Sequence, residues 1–188
     1  MQRGADSPRN KGKMAIKDSE FEAVVREHQA MLYRIAFNFF LSTSAAEEIV
    51  QDVFLQCFQK RKSIQSPEHL KAWLRRAATH RCIDVLRRGK TQRELQVDEL
   101  PNVPDLSEES DPLLSDRLRR LVASLPEKQR MIVILRYGED MDSEEIAGLL
   151  DIPAATVRSN LQRALAMLRE KAPQVLGEEL YGHIRKRS

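Results

Sequence analysis

One segment of this sequence limits the possible folds more than any other, because it is unsuited to a packed core. Between residues 94 and 111 there are seven acidic residues and no basic one, and Pro101 and Pro104 lie among them. Self-repulsion and proline both favour an extended chain here. We therefore expect one domain on each side of a flexible acidic linker, 94–111. An alternative is that the acidity of this segment imitates nucleic acid in a basic channel.

The first half has the periodicity of three helices. Apolar residues recur at three- and four-residue spacing over residues 21–41, which is typical of a helix with one buried face. Ser44 and Glu47 match the S-x-x-E capping box that opens a second helix. A third helix is expected over 66–88, opened by a Ser-Pro pair and ended by Gly89.

The second half is helical as well. Residues 113–125 are amphipathic, and a proline opens a further helix over 126–137 that a glycine ends. Asp142 and Glu145 give a second capping pattern before a short helix, and a longer helix is expected over 154–171. There is no internal repeat and no convincing strand pattern. The predicted fold is all-α, with two small helical domains joined by the acidic flexible linker.

Cysteine content and hydropathy limit the cellular compartments in which we expect this protein. The two cysteines, Cys57 and Cys82, lie in apolar helical patterns and fit unremarkable thiols in a reducing cytoplasm. No stretch approaches the roughly 18 apolar residues of a membrane span. Residues 1–17 are basic without an apolar core, so we expect a disordered basic arm and no secretory signal, with Met14 as an alternative start. The sequence predicts a cytoplasmic protein that does not insert into membranes.

The sequence offers no basis for catalysis. The four histidines, His28, His69, His80 and His183, do not combine with cysteines or carboxylates at zinc spacings. There is no glycine-rich phosphate loop and no nucleophile motif. His28 lies on the apolar side of its helix and is expected to be a partly buried structural residue. We expect no metal, no cofactor and no enzymatic activity.

Residues 142–171 carry the strongest local signal. A short helix, a tight turn and a longer helix with an apolar face are typical of a helix-turn-helix, whose second helix enters the DNA major groove. The outward positions near the start of that helix are Thr156, Arg158, Ser159, Gln162 and Arg163. These side-chain types suit base edges and phosphates. The alternative is a helical hairpin with a solvated basic face.

The third helix gives a second indication of nucleic-acid binding. Between Lys71 and Arg93 there are eight basic residues and one acidic residue, Asp84, with Trp73 interleaved. Basic charge attracts phosphate through counterion release, and an aromatic ring can stack on an unpaired base. This combination suits DNA that is being opened. The alternative role of Trp73 is core packing beside Leu70, over a solvated arginine stripe.

Several short blocks of this sequence, taken together, resemble the sigma-70 family of RNA polymerase sigma factors. The matching blocks, in chain order, are Ala46–Phe54 for polymerase binding, Ala72–Arg76 and Ile83–Arg88 for promoter melting, Leu125–Arg130 and Leu135–Tyr137 for the start of region 4, and Glu144–Ala147, Thr156–Ser159 and Leu168–Glu170 for its helix-turn-helix. The resemblance covers about residues 20–90 and 112–172. No block resembles the other regions of the sigma-70 family, and in this respect the chain resembles its extracytoplasmic-function (ECF) group.

The resemblance implies a division of the chain. Residues 18–93 would form the region 2 domain, which binds polymerase and recognises and melts the minus-10 element. Residues 112–172 would form the region 4 domain, which recognises the minus-35 element. The linker 94–111 would thread toward the RNA exit path, and 173–188 would be a basic tail.

The resemblance also implies partners and contact residues. Partners would be core RNA polymerase, through the clamp of its largest subunit and the flap of its second-largest, together with promoter DNA and an anti-sigma factor. The expected polymerase contacts are Glu47, Glu48, Gln51, Asp52 and Leu55. The expected minus-10 contacts are Trp73, Arg75, Arg76, His80, Arg81, Asp84, Arg87 and Arg88. The expected minus-35 contacts are Thr156, Arg158, Ser159, Asn160, Gln162 and Arg163.

Three positions depart from the family pattern. His80 stands where asparagine is usual, Asn160 where arginine is frequent, and Asp151 where the turn usually has glycine. Asp tolerates the left-handed conformation, so the turn can survive. The first two departures bear on promoter preference, which the sequence does not name.

Two other classes of function remain open at this point. A conventional helix-turn-helix regulator would bind duplex DNA without replacing sigma, but it leaves the basic helix around Trp73 and the acidic linker unexplained. An interaction protein, such as an anti-sigma factor or adaptor, would not need the basic outward face of the last long helix.

Overall fold

The computed structural model describes residues 16–92 and 112–177, and every regular element within these ranges is helical. The elements are α1 (Asp18–Phe40), α2 (Thr43–Lys60), a short 3₁₀ turn (Arg61–Ser63), α3 (Pro67–Gln92), α4 (Pro112–Ala123), α5 (Glu127–Val133), a π-helical turn (Ile134–Gly138), α6 (Ser143–Leu150) and α7 (Ala154–Leu176). The all-α prediction is confirmed.

Helices α1, α2 and α3 pack on one another around an apolar centre. Ile35 and Phe39 of α1, Val53 of α2 and Leu74 of α3 are completely buried, as the three- and four-residue spacing predicted. The ring of Phe21 packs edge-on against Phe58 of α2, with 5.1 Å between centroids. This packing fixes the relative position of α2 and α3, whose outer faces carry the predicted polymerase and minus-10 residues.

Two predicted helix boundaries in this half are wrong. Leu41 ends α1 in the left-handed conformation, and Ser42 then caps α2, its Oγ accepting the Ala45 N–H at 3.3 Å. The predicted cap at Ser44 therefore lies inside the helix. Gly89 does not end α3, which continues to Gln92. A glycine costs a helix only about 1 kcal/mol relative to alanine, so good helix formers on both sides can carry the helix through it.

The predicted arm 1–17 is also too long at its inner end. Ile16 is buried in the core, and the backbone N–H of Lys17 donates to the Glu20 carboxylate at 3.0 Å. Burial of an isoleucine contributes about 1.5–3 kcal/mol relative to exposure, which is enough to attach this segment to α1. The rest of the arm lies outside the described residues.

The turn between α6 and α7 follows the prediction closely. The Asp142 carboxylate accepts the Glu145 N–H and the Glu145 carboxylate accepts the Asp142 N–H, each at 2.8 Å, so the capping box is confirmed. Asp151 ends α6 in the left-handed conformation, with φ 57°. Pro153 then precedes the first residue of α7. Together these features form the predicted helix-turn-helix.

Helix α7 passes the expected boundary at Lys171 and ends at Leu176, so residues 173–176 are not part of a tail. Ala172 and Leu176 are buried against Leu121 of α4. Pro173 lies inside the helix, where this packing outweighs the loss of one backbone hydrogen bond. Gly177, at φ 85°, ends the helix, and the predicted tail from residue 178 onward lies outside the described residues.

The two halves are in contact and share one hydrophobic cluster. It runs from the centre of the α1–α3 bundle to Ile132, Leu135, Ile146 and Val157 of the second half. The π-helical turn packs on α1, and α6 packs on α3. The sequence pattern did not indicate this contact, and the predicted linker 94–111 lies outside the described residues.

Candidate nucleic-acid interface

The outer face of α2 presents the predicted polymerase contacts. Glu47, Glu48, Gln51 and Leu55 are exposed, and the Leu55 side chain is unusually open for a leucine, at 58%. A helix places residues three and four apart on one side, so these four form a continuous surface opposite the buried face. Asp52 differs from them because it is half-buried.

Asp52 links the predicted polymerase surface to the predicted minus-10 residues. Its Oδ2 accepts a hydrogen bond from Arg81 Nε of α3 at 2.8 Å. The pair is partly shielded from solvent on both sides. A carboxylate of α2 thus orients an arginine of α3 that the sequence assigned to DNA.

A groove of about 330 Å³ lies between α2 and α3. Its lining residues are Gln56, Lys60, Trp73, Arg76, Ala77, His80, Arg81, Asp84 and Arg88. Trp73 is half-buried, so it packs on the core and also faces the groove. The Lys60 ammonium lies 6.0 Å from the centre of its ring. Six of the eight predicted minus-10 residues meet in this groove.

Two lining residues of the groove, Gln56 and Lys60, were missed by the sequence analysis. They lie in the last two turns of α2, in a segment that carries no local nucleic-acid motif. Only the packing of α2 against α3 brings them beside Trp73. The periodicity of α2 could have shown that both residues are exposed, but it could not show what they face.

The remaining side of α3 faces the second half of the chain. Arg75 Nη2 lies 3.2 Å from Glu139 Oε2, and Arg34 Nη2 of α1 lies 2.7 Å from Glu139 Oε1. Arg87 Nε lies 3.7 Å from Glu127 Oε1. Arg75 and Arg87 therefore lie outside the groove beside Trp73 and face carboxylates of the second half.

Two backbone carbonyls at the end of α6 also face α3. Arg76 Nη1 lies 3.5 Å from the carbonyl oxygen of Gly148, and His80 Nε2 lies 3.2 Å from that of Leu149. The last carbonyls of a helix have no donor within the helix and carry the negative end of its dipole. The basic side of α3 supplies donors to them.

The start of α7 presents the predicted minus-35 residues. Thr156, Arg158, Gln162 and Arg163 are exposed, while Val157 between them is buried. Ser159 and Asn160 are half-buried. This is the arrangement expected of a recognition helix held by an apolar inner face.

Several of these side chains already have local partners. Arg158 Nη1 donates to Glu144 Oε1 of α6 at 2.9 Å, which ties the two helices of the motif together. Asn160 donates to the Thr156 carbonyl at 2.8 Å, and Arg163 donates to the Ser159 carbonyl at 3.2 Å. The last two bonds lie within one helix turn and leave the side chains on the surface.

A second cavity, of about 390 Å³, lies where the two halves meet. Thr156 and Asn160 of α7 line it opposite His80 and Asp84 of α3. Predicted minus-35 and minus-10 residues therefore face each other across a space much smaller than a DNA duplex.

The buried titratable groups fit structural roles. Desolvation raises the pKa of Cys57 to about 11 and that of Cys82 to about 12, so both thiols stay protonated near neutral pH. His28 is buried, as expected, and desolvation lowers its pKa. Within residues 16–92 and 112–177, no group of His, Cys, Asp and Glu side chains is arranged to hold a metal ion. Over the same ranges, no helix is long and apolar enough to cross a membrane.

Comparison with known proteins identifies the two halves. The family model for sigma-70 region 2 matches residues 24–92, and the model for sigma-70 region 4 matches residues 115–168. Each match coincides with one helical half, and their order along the chain is that of the predicted blocks.

Whole-chain relatives agree with the two family models. The chain is 34% identical over 156 residues to the RNA polymerase sigma-E factor of Streptomyces coelicolor, covering 81% of this chain and 85% of the relative. It is 24% identical to the ECF RNA polymerase sigma factor SigW of Bacillus subtilis, over 80% and 88% of the two chains. The fold resembles that of sigma factor RpoE from Bartonella quintana, solved with the anti-sigma factor NepR, with TM-score 0.65, 23% identity and coverage of 81% and 96%.

The two family models match both halves, whereas a conventional helix-turn-helix regulator requires only the second half. The chain belongs to the ECF group of the sigma-70 family, the RNA polymerase sigma factors that bind core polymerase and direct it to promoters.

Proposed function

We propose that this sigma factor divides promoter recognition between two surfaces, with the groove beside Trp73 taking the opened minus-10 strand and the start of α7 taking the minus-35 duplex. The observation that carries the proposal is the groove between α2 and α3, where an accessible indole lies among cations. The boundaries proposed for the two functional domains are residues 18–93 and 112–176, with the acidic linker between them.

The groove has the chemistry of a single-strand site. Lys60, Arg76, Arg81 and Arg88 supply positive charge, and Asp84 is the one carboxylate among its lining residues. Each phosphate neutralised by such a cation releases condensed counterions, which drives binding. A base stacked on an aromatic side chain adds about 1–3 kcal/mol. The half-exposed Trp73 supplies that ring.

The start of α7 has the chemistry of a duplex reader. Arg158 can donate two hydrogen bonds to guanine in the major groove, and Gln162 can pair with adenine. Thr156, Ser159 and Arg163 suit phosphates and neighbouring base edges. Arg158 must release Glu144 of α6 before it binds DNA. Binding by α7 therefore also changes a contact of α6, the other helix of the motif.

The exposed face of α2 is the proposed polymerase surface, with Glu47, Glu48, Gln51 and Leu55 as direct contacts and Asp52 as the link to Arg81. The partners inferred are the clamp of the largest polymerase subunit for this face and the flap of the second-largest for region 4. An anti-sigma factor is inferred as a regulator, since the similar RpoE was solved with one. We infer that the protein acts in the cytoplasm, at the nucleoid when bound to polymerase, and has no catalytic activity of its own.

Transcription with purified components tests the proposal. The chain is mixed with core polymerase and a promoter library, and run-off products and permanganate-reactive thymines are mapped. Trp73→Ala should lower the yield of opened promoter by about 5- to 100-fold, as expected for a lost stacking contact. Trp73→Phe keeps an aromatic ring and should recover most of it. Equal opening by wild type and Trp73→Ala would exclude the groove as the minus-10 site.

A further inference from the structure

We propose that Asp52 is a positioning residue for promoter DNA. Its carboxylate holds the Arg81 guanidinium in the wall of the groove beside Trp73, and Arg81 contacts a phosphate of the opened minus-10 strand. The proposal rests on the proposed function of this groove. It adds that a residue of α2, the proposed polymerase-binding helix, acts on DNA through an arginine of α3.

The two residues meet where α2 and α3 pack together. Each lies on its helix between an exposed residue and a buried one, so its side chain leaves the helix at the edge of the packed face. Arg81 Nε and Nη2 lie 2.8 and 2.5 Å from the same oxygen, Asp52 Oδ2. Two N–H groups on one carboxylate oxygen fix the plane of the guanidinium as well as its place.

The pair is partly shielded from water. The Arg81 side chain is 24% exposed and the Asp52 side chain 33%, whereas the surface pair of Arg26 with Glu22 is 74% and 84% exposed. Fully exposed pairs are screened by water and salt and hold little fixed geometry. Partial burial removes much of that screening, so the pair of Asp52 with Arg81 keeps its geometry in solution.

The carboxylate contacts the arginine from outside the groove. Arg81 is among the residues that line the groove, and Asp52 is not. Within residues 16–92 and 112–177, the Arg81 nitrogen Nη1 has no hydrogen-bond or ion-pair partner. This nitrogen is therefore left for a ligand in the groove. A guanidinium binds phosphate oxygens through strong charge-assisted hydrogen bonds, so a strand phosphate suits it.

Arg81 differs in this respect from the other cations of the groove. Lys60, Arg76 and Arg88 pair with no carboxylate in the part of the chain that the structure describes. A long basic side chain that is free to rotate loses conformational entropy when it binds, and Arg81 has lost much of it before DNA arrives. Arg81 is therefore the lining cation best prepared to bind one particular phosphate.

Asp52 also has neighbours that are proposed to contact polymerase. Glu48 and Leu55 lie four residues before it and three residues after it, on the same side of α2. The alternative is that Asp52 contacts polymerase as well and that its pairing with Arg81 has no function. The two roles differ in sign for DNA. A lone negative charge near the groove repels phosphate, so its removal should tighten DNA binding, whereas removal of a positioning residue should weaken it.

The first experiment measures holoenzyme binding to a forked promoter fragment with a single-stranded minus-10 region, by anisotropy at several salt concentrations. Asp52→Asn should weaken binding by about fivefold and make the slope of log affinity against log salt shallower by about 0.7, the loss of one phosphate contact on a single strand. Arg81→Gln should change the slope equally. Glu22→Gln is the matched control: it removes the same charge from an exposed pair on α1 and should change affinity by less than about twofold.

A double variant tests whether Asp52 acts through Arg81. In the Arg81→Gln background, Asp52→Asn should weaken binding no further, because the residue that it positions is gone. Asp52→Glu keeps a carboxylate and should recover most of the wild-type affinity and salt slope. Losses that multiply in the double variant, or an affinity and slope of Asp52→Asn equal to those of wild type, would overturn the proposal.

Affinity for core polymerase separates the positioning role from a polymerase contact and from a damaged fold. It is measured by competition with labelled wild-type chain, and Asp52→Asn should compete as well as wild type does. Loss of core affinity in step with the loss of DNA affinity would overturn the proposal in favour of a polymerase contact. The proposed function would fail on a different result, equal promoter opening by wild type and Trp73→Ala.

Discussion

The two basic helices α3 and α7 carry the proposed DNA contacts, but their cations are held in different ways. On α3, Arg75 and Arg76 bind acceptors of the second half, and Arg81 binds Asp52 of α2. On α7, Arg163 donates to the carbonyl and hydroxyl oxygens of Ser159 in its own helix, and Arg158 binds the adjacent helix of the same motif. The cations of α3 are thus held by tertiary contacts, whereas those of α7 are held mainly by local ones, so binding of DNA as proposed would cost α3 more contacts than α7.

The tertiary contacts of α3 can hold its cations only if the two halves form one folded unit. A core substitution tests this requirement. Ile146 of α6 is completely buried in the cluster that both halves share. Ile146→Ala should lower the free energy of unfolding by about 2–5 kcal/mol, through lost burial and the cavity left behind. The sole tryptophan, Trp73, lies in the first half, so its fluorescence during urea unfolding reports whether that half feels the change.

The control for this test is Leu118→Ala, at a more exposed position on α4, which should alter stability by less than about 0.5 kcal/mol. If the halves share their stability, the Trp73 transition and the helical circular dichroism transition of Ile146→Ala shift together. If the Trp73 transition stays where it is in wild type, the halves unfold separately, and the tertiary contacts of α3 contribute little to its stability.

Substitutions at the start of α7 test whether this helix recognises the minus-35 duplex. Arg158→Ala and Gln162→Ala should each weaken holoenzyme binding to a duplex minus-35 fragment by about 1–3 kcal/mol, as for a lost bidentate base contact. Each should also relax preference at one base pair. The measurement is anisotropy against a set of single-base variants of the fragment.

Arg169→Ala serves as the matched control for these substitutions, since it removes an exposed cation of the same helix outside the predicted contact set. It should weaken all fragments equally and slightly, through phosphate attraction alone. An unchanged base preference after both Arg158→Ala and Gln162→Ala would show that α7 does not recognise the minus-35 element through its first turns.

The sequence predicted the elements of this fold well because each helix buries one face, and burial leaves a periodic signal. It predicted helix ends less well: Gly89 and Pro173 have strong local preferences against helix, but flanking helix formers and packing on α4 outweigh them. Charge and aromatic content located the basic face around Trp73. The ion pairs of Glu139 with Arg34 and Arg75 had no local signal, because these partners are far away in sequence and are brought together only by tertiary packing.

The turn of the helix-turn-helix offers a smaller test. Asp151 occupies the left-handed region, where a side chain is strained and glycine is not. Asp151→Gly should therefore raise the free energy of unfolding by about 0.5–1 kcal/mol, the gain from relieved strain being partly offset by the greater freedom of the unfolded chain. Asp151→Val should lower it, and thermal unfolding of the three proteins gives the order. A stabilising valine would contradict the assigned backbone conformation.

The smallest expected effect is a pH dependence arising from the first half. Desolvation lowers the pKa of His28, with Lys71 acting in the same direction and Glu27 in the opposite one. The unfolded chain, whose histidine pKa is about 6.5, therefore binds the proton more readily than the folded chain. The contribution of neutral His28 to stability is complete above about pH 6.5 and declines as the pH falls toward its folded pKa.

His28→Gln isolates this contribution, because both proteins share all other titrating groups. The difference in unfolding free energy between wild type and His28→Gln should be largest near pH 7.5 and shrink toward about pH 5.5. Urea unfolding at several pH values measures it. A difference that stays constant over this range would mean that His28 has the same pKa in the folded and unfolded chains. Solvent would then reach the His28 ring in the folded chain often enough for the proton to bind without cost.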